Sequence, residues 1–344
     1  GFYLGGGMPM PPLPPVFEAD VRNQMASGKS VMFDLQGNNS EPITVSHEPT
    51  MLYLMNPRGH DYTFNGTGTT GNGQLVKSMQ GTTTFNCNLG HTGKTLISEG
   101  VLCVNGEIAG PVELRARGTL SGNAILQDTI TFEGALNYEG CRLAPERMVS
   151  RKSMTLPGNV YLEFSKRDTD HLSVEGDLTF KGTNYITISF EDKGAGECVL
   201  AHCSGNLTCD VTKLKVRGLE GVNYDLMVRD DKSLVLVLND TRAPQENVVW
   251  TGNEDKVWDY KAKNFMTTDV TSFVAGDAVV FNAQAQQKSI TVNEMMVTNG
   301  VFFDSGTYTL SGEGGLSGEG GLTVNKDASV TMNMKYSDYT GKTI

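Results

Sequence analysis

The chain lacks any run of eighteen consecutive apolar residues, so no segment qualifies as a membrane-spanning helix. Helical periodicity is nearly absent as well. The two short candidates, "EADVRNQMA" (18–26) and "KVWDYKAKNF" (256–265), are too brief to be stable alone. No Cys-x-x-Cys pair, zinc-type spacing or Gly-x-Ser-x-Gly elbow occurs, which removes the common sequence signatures of redox, metallohydrolase and serine-hydrolase chemistry. Basic charge is scarce: 28 Lys and Arg face 39 Asp and Glu, for a formal net charge of −11. That balance opposes nucleic acid and anionic lipid as partners, because both require clustered cations. The densest basic stretch, "CRLAPERMVSRK", holds Arg142, Arg147, Arg151 and Lys152 and reads as solvated surface.

What is plentiful is glycine, at 40 of 344 residues. Asn-Gly pairs at Asn65-Gly66, Asn72-Gly73, Asn105-Gly106 and Asn299-Gly300 are candidate tight turns between strands. Between such turns run short alternating segments, among them "GVLCVNGEIAG", "DTITFEGALNYEG" and "KSLVLVLND". The chain is therefore expected to be all-β with short strands. Six cysteines (87, 103, 141, 198, 203 and 209) are consistent with free, partly buried thiols or with a local disulfide among the last three.

Three Gly-Lys-Ser/Thr triplets (28–30, 93–95 and 341–343) invite comparison with a phosphate loop. That loop needs a glycine five residues before the Gly-Lys pair, followed by a helix. The positions hold Asn23, Asn88 and Tyr336, and strand-like alternation follows the first two triplets. The triplets instead mark an internal repeat. "FEADVRNQMASGKSVMFD" (17–34) aligns with "FMTTDVTSFVAGDAVVFN" (265–282), and Phe33 falls on Phe281 at an offset of 281 − 33 = 248 residues. Downstream, "EPITV" falls on "KSITV", "DYTFNGTG" on "GTYTLSGEG" and "HTGKT" on "YTGKT". Lys29 then corresponds to Asp277, an exchange that a phosphate-binding lysine would not tolerate. The expected organisation is a Gly/Pro-rich leader (1–16), a first repeat unit (17–243) and a truncated second unit (244–344).

A long repeat built of short strands favours a parallel β-helix, or β-solenoid, with roughly a dozen coils of about 20–30 residues each. Tandem β-sandwich domains are the alternative fold. Leu310, Leu316 and Leu322 lie six apart, a spacing that keeps all three on one face of an extended chain.

The ordered set "VVWTGNEDKVWDYKAKNF", "GDAVVF", "YTLSGEGGLSGEGGLTV" and "YTGKT" resembles the passenger-associated, or autotransporter-associated, β-strand repeat. "SEGVLCVNGEIAG", "RGTLSGNA" and "CRLAPER" take the places of that family's later motifs, with "APER" departing from the usual Pro-Gly. The resemblance covers nearly everything from Asp20 onward. It implies a segment of a large bacterial surface or secreted protein, with a β-helix serving as stalk, adhesive surface or passenger. Because the second copy stops at Ile344, before its expected next strand, the native chain is expected to continue into further repeats.

Candidate chemistry is sparse. His91 aligns with Tyr339 and so occupies an aromatic structural slot; Asp168, Asp170 and His171 form an acid/base cluster or a capped turn. Glu254, Asp255 and Asp259 are candidate paired carboxylates, and Glu313 and Glu319 candidate weak calcium ligands. Trp250, Trp258 and Tyr260 are candidate carbohydrate-binding aromatics, with packing at the start of the second repeat as the competing role. No catalytic residue, metal or cofactor is predicted. The leading expectation is a non-enzymatic extracellular solenoid acting as adhesin stalk or display scaffold, with a glycan or matrix surface as partner. A carbohydrate-binding module of a polysaccharide-degrading enzyme is the alternative.

Overall fold

In the computed structural model, residues 51–133, 140–169, 171–339 and 344 are described, together with four short strand segments before residue 51. The leader apart from its strand segments Tyr3–Leu4 and Met8–Pro9, the candidate helix at 18–26, His47, Asp170 and the last Gly-Lys-Thr triplet lie outside the described residues. The protein is all-β, and its parallel strands stack into a β-solenoid of about 13 turns. The pairing is parallel from coil to coil, which replaces the sandwich alternative. Among the described residues the one helical segment is a single 3-10 turn at Val211–Lys213. The candidate helix 256–265 forms turns instead, because its Trp258, Tyr260 and Phe265 are all drawn into the core.

Two compact units are present: Gly1–Asp192 with Glu197–Gly218 and Leu226–Leu236, and Lys193–Gly196 with Leu219–Asp225 and Val237–Ile344. In the first, each coil contributes one strand to each of three sides. A nine-stranded sheet runs through Thr82–Phe85, Gly100–Val104, Gly118–Gly122, Arg142–Pro145, Tyr161–Phe164, Asn184–Ile188 and Leu214–Arg217. Alternation divides every strand into interior and exterior positions. Thr83, Leu102, Leu120, Leu143, Leu162 and Ile186 stand in register as an interior column, each at most 1% exposed.

At five of these strands the entry corner carries a left-handed residue, supplied by Met79, Gly100, Arg117, Asn159 and Gly182 with φ between 54° and 74°. The corner after them carries an asparagine ladder. Asn86 donates to Asn65 (3.3 Å), Asn105 to Asn86 (2.8 Å) and Asn123 to Asn105 (3.1 Å), so each side chain caps the next coil. Asn65-Gly66 and Asn105-Gly106 are thus solenoid corners and not hairpin turns, as the parallel pairing of the flanking strands requires.

The second unit opens with antiparallel pairing of Val248–Trp250 to Phe265–Met266, then continues in parallel through Val279–Phe281, Val301–Gly318 and Leu322–Tyr339. Stretches that align in sequence pair in equivalent registers. Val31 pairs with Leu52 and Val279 with Val301; Leu52 pairs with Leu75 and Val301 with Leu322. Leu310, Leu316 and Leu322 all point inward, at most 5% exposed, yet they lie on different sides of the coil. The chain turns between them at Gly312 (φ +135°) and Gly318 (φ +117°), where a Cβ would sit 2.2 Å from the Val292 carbonyl oxygen and 1.9 Å from that of Thr298. The six-residue spacing therefore measures a coil side, not one flat face.

Candidate functional site

The aromatic residues at the start of the second repeat are interior. Trp250 and Trp258 expose none of their surface and Tyr260 exposes 3%. Their neighbours are Phe265, Phe273 and Phe281, with Trp258 edge-on to Phe273 at 5.4 Å and Trp250 edge-on to Phe265 at 5.2 Å. Trp250 Nε1 donates to the Gln287 carbonyl at 2.7 Å. The Tyr260 hydroxyl donates to the Met295 carbonyl (2.7 Å) and accepts from the Val297 N–H (3.0 Å). Burial pushes that phenol up to about 12. The expectation of a sugar-stacking face made by these three rings is corrected: their area is spent on the core, which is worth more to the fold than exposure.

Two polar side chains missed in the sequence organise this region. Asn264, fully buried, accepts from the Glu254 and Asp255 N–H groups, both at 2.9 Å, and donates to Asp255 Oδ1 (2.6 Å) and the Val257 carbonyl (2.8 Å). All four of its bonding positions are used. Asp277, also fully buried, receives a two-pronged bond from Arg242 (2.8 Å on each oxygen) plus the N–H groups of Val274 (2.8 Å) and Gln245 (2.9 Å). The signal for Asp277 was its place in "GDAVVF"; Arg242 carries no local signal.

The candidate carboxylates serve the loop. Asp255 accepts from the Val257 N–H, Asp259 from those of Lys261 and Ala262, and Glu254 from that of Lys263. The aspartate contacts are Asx-type turns and the Glu254 contact closes the loop across nine residues; none is a facing acid/base pair. Glu313 pairs with Lys335 at 3.4 Å. Among the described residues no three His, Cys, Asp or Glu side chains converge as metal ligands.

Beside the buried indole lies a cleft of about 330 Å³ bordered by Val249, Met266, Val270, Asn282, Gln284 and Gln286. Neutral amides above an apolar floor are suited to a hydroxyl-rich neutral ligand.

In the first unit the remaining titratable candidates are also built into coil corners. His91, 1% exposed, bonds Thr69 Oγ1 through Nδ1 (2.7 Å) and Thr95 Oγ1 through Nε2 (2.8 Å), and burial lowers its pKa to about 4. The neutral ring thus links successive coils. Lys77, fully buried, donates to the carbonyls of Ser78 and Met79 at 2.8 Å, closing the left-handed corner at Met79; burial lowers its pKa to about 8, against the pull of Glu99 and Asp61. His171 lies among Phe164, Phe190 and Cys198, its ring nitrogens directed at the Val199 and Lys166 carbonyls. Lys94 of the middle Gly-Lys-Thr triplet pairs with Glu113 at 2.9 Å on the next coil. All six cysteines are free thiols, and burial raises Cys87, Cys198 and Cys209 to about 11 and Cys141 to about 12.

The outward side of the nine-stranded sheet is different in kind. In register along one column stand Val101, Thr119, Arg142, Tyr161, Tyr185 and Lys215. Tyr161 and Tyr185 stack at 4.3 Å, nearly parallel. Arg142 lies over Tyr161 at 5.3 Å, and Arg217 lies over Tyr185 at 4.9 Å and Tyr161 at 5.4 Å. Beside this column a groove of about 480 Å³ is lined by Arg58, Arg117, Arg142, Glu99, Glu163 and Thr119 among others.

Comparison with known proteins adds nothing to this geometry. No protein-family model and no curated sequence matches the chain.

Proposed function

We propose that this chain is a non-enzymatic β-solenoid segment of a larger bacterial surface protein, acting as an adhesin stalk or display scaffold. The observation that carries the reading is the use made of the repeat's signature side chains. Trp250, Trp258, Asp277, Phe281, Tyr308 and Leu310 are all fully buried and spent on holding one coil to the next. A repeat whose most distinctive residues all face inward is selected for rigidity and stacking, with variable side chains left outside. Stacked backbone ladders then hold outward-facing residues at a set distance from their anchor. The resemblance to autotransporter-associated repeats supports an extracellular setting.

The test is made on the organism that produces the protein. Intact cells are treated with an impermeant protease and probed with antibody against this chain. Loss of the epitope from intact cells, with a cytoplasmic marker preserved, is the expected result. Protection of the epitope until the cells are lysed would overturn the surface reading. The amide-lined cleft beside Trp250 favours a second reading, a neutral-carbohydrate module. Binding of neutral oligosaccharides that is lost on Gln284→Ala/Gln286→Ala would support it.

A further inference from the structure

The chain carries a formal charge of −11, yet one face of it gathers cations. Arg58, Arg117, Lys215 and Arg217 are exposed and Arg142 half-buried, on or beside the outer face of the nine-stranded sheet, against Glu99 and Glu163 in the same area. Arg58, Arg117, Arg142 and the Lys215–Arg217 pair come from four separate coils, spaced along the solenoid axis at roughly 4.8 Å per rung, with Arg142 and Lys215 in one register column. Their positions are held by the tyrosines. Arg142, Tyr161, Tyr185 and Arg217 form a continuous cation–ring stack, and Arg142 also bonds Glu163 at 2.9 Å. The ring faces of Tyr161 and Tyr185 are thereby covered by one another and by guanidinium groups, so they support the charges and do not offer stacking platforms.

We infer that this face is a binding track for a linear acidic polysaccharide, one bearing carboxylates or sulfates along its length. Three features select that class. Arg117 and Arg142 stand on adjacent rungs and Lys215 three rungs further along the Arg142 column, a spacing that matches a chain whose charges recur every one to three sugars. Arginine, which supplies four of the five cations, offers planar paired donors to carboxylate and sulfate oxygens. Glu99, Glu163 and Thr119 in the groove accept from or share hydrogen bonds with hydroxyls, which a sugar has in quantity. Single-stranded nucleic acid fits less well, since it takes its affinity from bases stacked on open aromatic faces, and those faces are closed here. The inference does not depend on where the chain is displayed: the surface reading fails on intact cells, and this one fails on the purified protein.

The test uses the full chain and four immobilised or labelled probes: oligogalacturonate, heparin, dextran and oligo-dT. At low ionic strength the uronate or the sulfated probe is expected to bind, with affinity falling steeply as NaCl is raised; binding of oligogalacturonate shows that carboxylates suffice, and binding of heparin alone that sulfates are needed. Arg142→Ala/Arg217→Ala is expected to weaken that binding by at least tenfold, whereas Lys326→Ala, the same type of charge change on the second unit, is expected to leave it within twofold. Because the first pair also loosens the tyrosine stack, Arg58→Ala/Arg117→Ala, in the groove beside that stack, is measured with it and is expected to weaken binding with little change in melting temperature. Binding of dextran as strong as that of the acidic probes, binding of oligo-dT alone, or no binding to any probe would overturn the inference. So would acidic-probe binding that both double variants leave intact.

Discussion

Replacing Asp277 by alanine removes a carboxylate that is fully buried and takes four hydrogen bonds, two of them from Arg242. Breaking a buried pair by deleting one partner costs about 3–5 kcal/mol, mostly because the surviving charge is left without its counter-ion. Arg242 keeps bonds to Thr271 Oγ1, the Ser272 carbonyl and the Ala243 carbonyl, and its side chain is 20% exposed, so part of its solvation is recovered. The lower end, about 3 kcal/mol, is therefore expected. At 1.4 kcal/mol per tenfold, that is roughly a 100-fold larger opening constant for the start of the second unit. Hydrogen exchange read by mass spectrometry on peptides spanning 270–300 measures it without assuming that both units unfold together. Asp277→Asn keeps the shape and one acceptor oxygen and is expected to fall between wild type and Asp277→Ala. Coupling with Arg242→Ala, measured as a double-mutant cycle, should reach about 2 kcal/mol. Exchange in Asp277→Ala within threefold of wild type would refute the argument that this network holds the coil.

Acid should act through His91. Its folded pKa of about 4 lies below the ordinary 6.5, so the unfolded chain binds the proton first. The resulting stability is complete above pH 6.5, drains as pH falls and is gone below about pH 4, a span worth roughly 3 kcal/mol. Urea titrations of wild type and His91→Gln at pH 7, 5.5 and 4 should converge as pH falls; parallel curves would contradict this. The two tryptophans should differ. Trp250→Phe strands the Gln287 carbonyl and adds about 1–3 kcal/mol to the packing loss, whereas Trp258 Nε1 has no hydrogen-bond acceptor, so Trp258→Phe loses packing alone. Equal shifts in the thermal midpoint for the two variants would show that the Trp250 hydrogen bond contributes nothing.

Much of the fold was legible because strand alternation and repetition are local. Leu102, Leu120 and Leu143 alternate with half-buried neighbours, so their interior placement could be read from the strand pattern. The Phe33–Phe281 alignment likewise announced equivalent ladders in the two copies. Legibility failed where identity and burial part company. Trp250 and Trp258 have the chemistry of a sugar platform, and nothing in "WTGNEDKVWDY" says whether the rings point in or out. Their direction depends on Phe265, Phe273 and Phe281 closing around them. The Asn-Gly pairs announced tight turns but not their kind, because a turn residue is the same residue whether the strand that follows is antiparallel or one coil further on.

The sequence by itself determined the all-β character, the near-absence of helix, the inward alternation of leucines within strands and the internal repeat, since each follows from a spacing along the chain. Only the tertiary structure decided which residues stand beside one another across coils. Arg142, Tyr161, Tyr185 and Arg217 lie on strands separated by coils of unequal length, because insertions sit at the corners and not in the ladders. No constant period along the chain connects them. The hydrogen-bond register does, by forcing each new strand to begin where the last one lies, and that alone sets four distant side chains in one stack.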